Sequence, residues 1–226
     1  MTPAVVHPRI AAPRGGRRAT TWWGRAWVRA VEESAYGERE QREARALARA
    51  GAVGGITVDV GSVVASVEDP HGLWTPRVAL PVLDDAALAA LVEVVAAEAG
   101  RAPALLAGEL PHPLVEHAEE AGVELLPYGG ELDASCTCER WVDPCVHALA
   151  VMSQLTWLLE RDPLVLLHLR GLPRDELLAR LHDRVAPPAT GDTTDADLDV
   201  ATDAAARAAR LLDLLDDPDA PVDHLF

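Results

Sequence analysis

The whole cysteine content of this 226-residue chain, three residues, lies in one stretch, Cys136-Thr-Cys138-Glu-Arg-Trp-Val-Asp-Pro-Cys145-Val-His147. The order Cys-x-Cys-x6-Cys-x-His supplies four soft or borderline donors, the set a tetrahedral zinc ion takes, and leaves no cysteine over for a disulfide framework. Two sulfurs bound at about 2.3 Å sit about 3.8 Å apart in a tetrahedron, closer than alternate side chains of an extended strand, so Cys136 and Cys138 require a knuckle. Residues two apart in a regular helix point about 200° away from each other, so Cys145 and His147 face one ion only if a helix starts at or just after the cysteine. Asp143 and Pro144 read as the start signals, an acceptor side chain followed by a residue with no amide hydrogen. A helix N-terminus there favours a thiolate at Cys145. With Cys136, Cys138, Cys145 and His147 all bound, the tetrahedron is full. Catalytic zinc keeps a position open for water, so the expectation is one structural zinc per chain.

Between Leu132 and Leu158 the run Ala-Ser-Cys-Thr-Cys-Glu-Arg-Trp-Val-Asp-Pro-Cys-Val-His-Ala-Leu-Ala-Val carries all four ligands, a tryptophan in the loop and an apolar segment after the histidine. This segment resembles the SWIM-type zinc finger. Trp22-Trp23-Gly-Arg-Ala-Trp27 and Leu105-Leu-Ala-Gly-Glu-Leu-Pro111 are similar to stretches of stand-alone bacterial SWIM proteins, which extends the likeness over about residues 20 to 183. The resemblance implies an interaction module for nucleic acid or protein, associated with large chromatin-remodelling-type helicases.

Charge discriminates between those partners. The formal net charge is -16, but residues 1–49 hold ten arginines against five glutamates, whereas the remainder holds ten arginines against thirty-one acids. Long-range repulsion from such a chain opposes non-specific binding to phosphate backbones, so nucleic-acid contact is expected to be local and weak. Arg9, Arg14, Arg17, Arg18, Arg25 and Arg29 form the candidate patch. Lysine is absent, which excludes the phosphate-binding loop of nucleotide hydrolases, the kinase lysine and Schiff-base cofactors.

Apolar periodicity places helices at Trp22–Tyr36, capped by Thr20 or Thr21, and at Glu38–Ala50, stopped by Gly51. Trp23 and Trp27 recur at helical spacing and read as core rather than as a base-stacking platform. The period then changes. Gly55–Val60, Val63–Glu68 and Leu73–Leu80 are short, β-branched and separated by turn residues, which reads as a three-stranded antiparallel meander. Helices follow at Ala86–Ala99, capped from Asp84-Asp85, then Ala102–Leu110 and Pro113–Ala121, with a strand at Val123–Leu126. After the zinc ligands come helices His147–Glu160, Leu164–Leu169 and Arg174–His182, expected to close a helical layer on the zinc unit. A last helix is expected at Ala201–Leu215.

The fold expected is therefore α+β: a three-stranded antiparallel meander with helices, and a zinc knuckle of hairpin and helix with a following helical layer. Its divisions are an arginine-rich arm without order at 1–19, an α+β domain at 20–126, the zinc finger with its helices at 127–183, and an acidic linker with a terminal helix at 184–226. No apolar run is long enough for a membrane span and no secretory signal opens the chain, so a cytoplasmic protein with no membrane contact is expected. His112, His117, His168 and His182 have no serine or carboxylate pattern around them, and none of the serines lies in a nucleophile elbow. The functional expectation is a non-enzymatic zinc-binding module with no small-molecule substrate, acting as a protein-binding adaptor or accessory subunit of a helicase. The alternative is direct binding of DNA or RNA through the arginine-rich end and the rim of the knuckle at Arg140 and Trp141.

Overall fold

The computed structural model describes residues 4–13, 19–139, 141–185, 200 and 202–205. Residues 1–181 form one compact unit and residues 182–226 a second. The architecture is α+β with an antiparallel sheet. The sheet holds β1 (Val5–His7), β2 (Val53–Asp59), β3 (Ser62–Asp69), β5 (Arg77–Ala79) and β6 (Asp133–Ser135) in that spatial order, with β4 (Gly72–Trp74) paired to β3. The helices are α1 (Trp22–Ser34), α2 (Glu38–Ala50), α3 (Asp85–Ala96), α4 (Arg101–Leu106), α5 (His112–Glu120), α6 (Val146–Leu159), α7 (Leu164–Leu169) and α8 (Arg174–Val185).

The sheet buries one face because its register aligns the apolar residues. Ile56 pairs with Ala65, Val58 with Val63, Val63 with Val78 and Val78 with Ala134, and all of these are buried. Val53 also points inward, opposite Val67, although it stands three residues before Ile56 and strict alternation would turn it outward. A register shift at Gly54-Gly55 resets the parity, and a Cβ at Gly54 would meet Ser66 Oγ at 2.5 Å. The third strand of the expected meander is divided. Pro76 has no N–H for the ladder, so pairing with β3 passes from β4 to β5 across Thr75-Pro76.

Helix ends follow the expected chemistry at several points. Thr21 caps α1 by accepting from Gly24 N at 3.0 Å, Asp84 caps α3 by accepting from Ala87 N at 2.8 Å, and Gly51 ends α2 in the left-handed region at φ 74°. Trp23 and Trp27 are core: Trp27 is 1% exposed and donates its indole N–H to Met152 O at 3.1 Å, while Trp23 donates to Leu159 O at 2.9 Å. Both acceptors lie on α6, so α1 is locked to that helix by burial and by hydrogen bonds together.

Several expectations change. Val5–His7, placed in the arm without order, pairs with Ile56–Val58 as an edge strand, and Ile10 after it is buried. Val123–Leu126 is not a strand: Val123 and Leu125 are buried, but Leu125 O accepts from the Arg170 guanidinium at 3.0 Å instead of from a ladder. The helix at 102–110 ends early, at Leu106. The helix after the zinc ligands belongs to the centre of the unit rather than to a layer on the finger. Thirteen of its fourteen residues are buried, and it packs against α1, α2, α7, β2, β3 and β5. Of the terminal helix expected at Ala201–Leu215, residues 202–205 are described and helical, and the rest lies outside the described residues, as do Arg14, Arg17, Arg18 and Arg140.

Candidate metal centre

Two elements of the core deliver the four ligands. Strand β6 adds to β5 through Arg77–Ser135, Val78–Ala134 and Ala79–Asp133 pairing, and Cys136 and Cys138 follow directly from its end. Thr137 between them accepts from Thr75 N at 2.9 Å, which ties the knuckle to the β4–β5 connection. The approach to β6 is held by Arg170, a side chain 2% exposed whose guanidinium forks onto Glu131 Oε1 and Oε2 at 3.1 and 3.0 Å and also donates to Leu125 O and Pro81 O. The other two ligands come from α6. Cys145, not Asp143, is its N-cap, with extended backbone at φ -73° and ψ 167° and its Sγ accepting from Ala148 N at 3.5 Å. A non-helical Cys145 followed by a helical His147 resolves the problem of two ligands two residues apart: the backbone turns between them.

One ligand atom from each of Cys136, Cys138, Cys145 and His147 lies within 4.8 Å of the others, and Cys136 Sγ stands 3.9 Å from His147 Nδ1. A tetrahedron with Zn–S of about 2.3 Å and Zn–N of about 2.0–2.1 Å has edges of about 3.5–3.8 Å, so the group fits a zinc ion after a small contraction. Three thiols and one imidazole nitrogen are also the donor chemistry of structural zinc. The four residues are positioned to bind a single zinc ion.

The histidine is oriented from outside the motif. His147 Nε2 lies 3.1 Å from Asp69 Oδ2, and the two side chains are 1% and 6% exposed. Asp69 Oδ1 accepts in turn from His71 N at 2.9 Å, Gly72 N at 3.1 Å and Trp74 Nε1 at 2.9 Å. The Trp74 ring stacks on the imidazole with centroids 5.5 Å apart and planes at 22°. A carboxylate accepting from Nε2–H fixes the tautomer in which Nδ1 carries the free lone pair, the arrangement that supports a metal-bound histidine. Burial pushes the Asp69 carboxyl up, yet the hydrogen bonds from Trp74, His147 and His71 outweigh it and hold the group well below the usual carboxylate range. Asp69 is therefore an anion at neutral pH.

Cys136 and Cys145 behave otherwise. Burial is the main cause that pushes Cys136 up, to about 12, with the Cys145 sulfur adding to it; burial also raises Cys145, more than the Ala148 N–H lowers it. The expectation of a thiolate favoured at Cys145 by the helix N-terminus is thus overturned for the metal-free protein, because desolvation wins. A bound zinc would supply the positive charge that makes thiolates stable here, with release of protons.

The sequence missed Asp69 and Trp74. Asp69-Pro-His-Gly72 reads as a turn, and turn chemistry accounts for an aspartate there without any metal; only the fold brings it to a histidine 78 residues later. Of the arginine patch, Arg25 and Arg29 are exposed on α1, with Arg29 bonded to Glu33 at 2.8 Å, and Arg9 donates to Val53 O at 3.1 Å. His112 packs against Trp22 with the ring planes tilted at 59°, His117 contacts Arg101, and His168 is buried in α7, and none of them belongs to the ligand group.

Comparison with known proteins agrees with this geometry. Residues 121–155 match the family model for the SWIM zinc finger. The chain is 32% identical over 168 residues to the uncharacterized protein Rv2102 of Mycobacterium tuberculosis, a match that covers 74% of this chain and 60% of the relative. No solved structure matches. The segment that carries the four ligands, residues 121–155, is a SWIM zinc finger.

Proposed function

We propose that the protein is a non-enzymatic adaptor whose zinc finger serves a protein partner, as an accessory subunit of a chromatin-remodelling-type helicase. The observation that carries this reading is the closed ligand set. Three sulfurs and one imidazole nitrogen converge with His147 and Cys145 buried, so a zinc bound there has no position left for substrate or water. The metal's role is then to hold a loop between β6 and α6 in one conformation.

A protein partner is favoured over nucleic acid on charge, since beyond residue 49 acids outnumber arginines three to one. The tryptophans of α1 support the same choice: Trp23 and Trp27 are spent in the core and cannot stack on bases. The test is a pull-down from native cell extract with zinc-loaded protein, repeated with a zinc chelator. A helicase recovered only with zinc supports the reading. Recovery only of complexes that nuclease destroys would favour direct nucleic-acid binding instead.

A further inference from the structure

We propose that the zinc centre is a reversible redox switch, in which a peroxide joins Cys136 and Cys138 as a disulfide and the metal leaves while the surrounding fold stays. The proposal rests on the zinc site and is independent of the adaptor reading. All three cysteines of the chain converge on this centre, so no other thiol competes for the oxidant or supplies another disulfide partner.

The four donors differ in access. Cys136 and Cys138 are half-buried, whereas Cys145 is 5% exposed and His147 is 1% exposed. An oxidant arriving from solvent therefore meets the Cys-x-Cys side first. The same two sulfurs are the pair that the knuckle brings together across one residue, Thr137, whose hydroxyl accepts from Thr75 N at 2.9 Å. Cys145 has a separate task as the N-cap of α6, with its Sγ accepting from Ala148 N at 3.5 Å. It stays a thiol.

One sulfur of the pair attacks the peroxide: an S–O bond forms, the O–O bond breaks and hydroxide leaves, so the sulfur is oxidised by two electrons and the peroxide is reduced. The second sulfur then attacks the sulfenic sulfur. An S–S bond of about 2.05 Å forms, the S–O bond breaks and a second hydroxide leaves. Two thiolates, one hydrogen peroxide and two protons have then given one disulfide and two waters. Cys145 and His147 alone remain as donors, too few for a tetrahedral zinc site.

The change is reversible because neither half of the site is held by metal alone. Cys136 and Cys138 follow β6, which is paired to β5 over three residues. His147 lies on a helix with thirteen of fourteen residues buried, and its Nε2 faces Asp69 Oδ2 at 3.1 Å. Reduction by a thiol returns both sulfurs to positions that the fold sets.

The experiment treats the zinc-loaded full chain with hydrogen peroxide beside a chromophoric zinc chelator, against an untreated sample, and maps the cysteines after tryptic cleavage. Cleavage after Arg140 separates the sulfurs: residues 102–140 hold Cys136 and Cys138 with no other lysine or arginine before Arg140, and residues 141–161 hold Cys145. The expected result is one zinc released per chain, a 102–140 peptide lighter than its reduced form by two hydrogens, and Cys145 fully alkylated on its own peptide. The helical circular dichroism signal should be unchanged, and dithiothreitol with added zinc should restore the zinc content. A disulfide that includes Cys145, or cysteines driven to sulfinic or sulfonic acid with no disulfide formed, would overturn the proposal. So would loss of the helical signal on oxidation, or zinc retained under peroxide that fully oxidises a glutathione control. None of these results bears on the adaptor reading, which fails separately if zinc-loaded protein captures no zinc-dependent protein from extract.

Discussion

Replacing Asp69 with asparagine tests whether the zinc centre extends beyond its four ligands. In the native site Oδ2 faces His147 Nε2 at 3.1 Å, while Oδ1 is committed to the N–H groups of His71, Gly72 and Trp74. An asparagine keeps its oxygen on those three donors and turns its NH2 towards Nε2. Two donors then face each other unless the imidazole takes the other tautomer, with Nε2 accepting and Nδ1 protonated, and a protonated Nδ1 cannot bind metal. Outer-shell partners of a ligating histidine are worth about 10–100-fold in metal affinity, or about 1.4–2.7 kcal/mol. Asp69→Ala should cost fold stability as well, about 2–4 kcal/mol, because it leaves the indole N–H and turn amides without an acceptor. Zinc affinity can be read by competition with a chromophoric chelator, and stability by urea unfolding of the zinc-loaded protein. Zinc affinity of Asp69→Asn within twofold of wild type would refute the orienting role.

Cys138→Ser should abolish zinc binding yet leave α6 folded, because that helix is buried by α1, α2 and the sheet; proteolysis should begin within 139–143, and loss of most helical signal would contradict this. Arg170→Ala should destabilise by about 3–5 kcal/mol in urea, since it strands the Glu131 carboxylate and two carbonyls at a buried site. Trp27→Ala should cost about 3–5 kcal/mol for the cavity and the lost bond to Met152 O, measured the same way. Zinc-free protein should lose stability as pH rises from about 9 towards 12, because Cys136 is raised from 9.0 to about 12 by burial and the unfolded thiol ionises first; a flat urea midpoint across that window would contradict it.

The ligand set was legible because four donors at fixed spacing have no other economical explanation. Helix ends were legible where a cap acts locally, as at Thr21, Asp84 and Gly51. What was not legible depends on distant partners. Val5–His7 has only three residues and acquires its order from β2, so no periodicity could reveal it. Val123 and Leu125 are apolar and alternate like a strand, but a guanidinium 45 residues away takes the carbonyl that a ladder would have used. Asp69 has the sequence of a turn and the surroundings of a metal site. The uniform burial of α6 is likewise hidden, because an apolar helix after a finger looks the same whether it covers the finger or fills the centre of the unit.

X-ray absorption at the zinc edge, on protein purified with its metal and assayed for stoichiometry, tests the central claim most directly. One zinc per chain with three sulfurs at about 2.3 Å and one nitrogen at about 2.0–2.1 Å is the predicted result. Metal well below one per chain with readily alkylated cysteines, or a shell that includes oxygen, would contradict a closed site at Cys136, Cys138, Cys145 and His147.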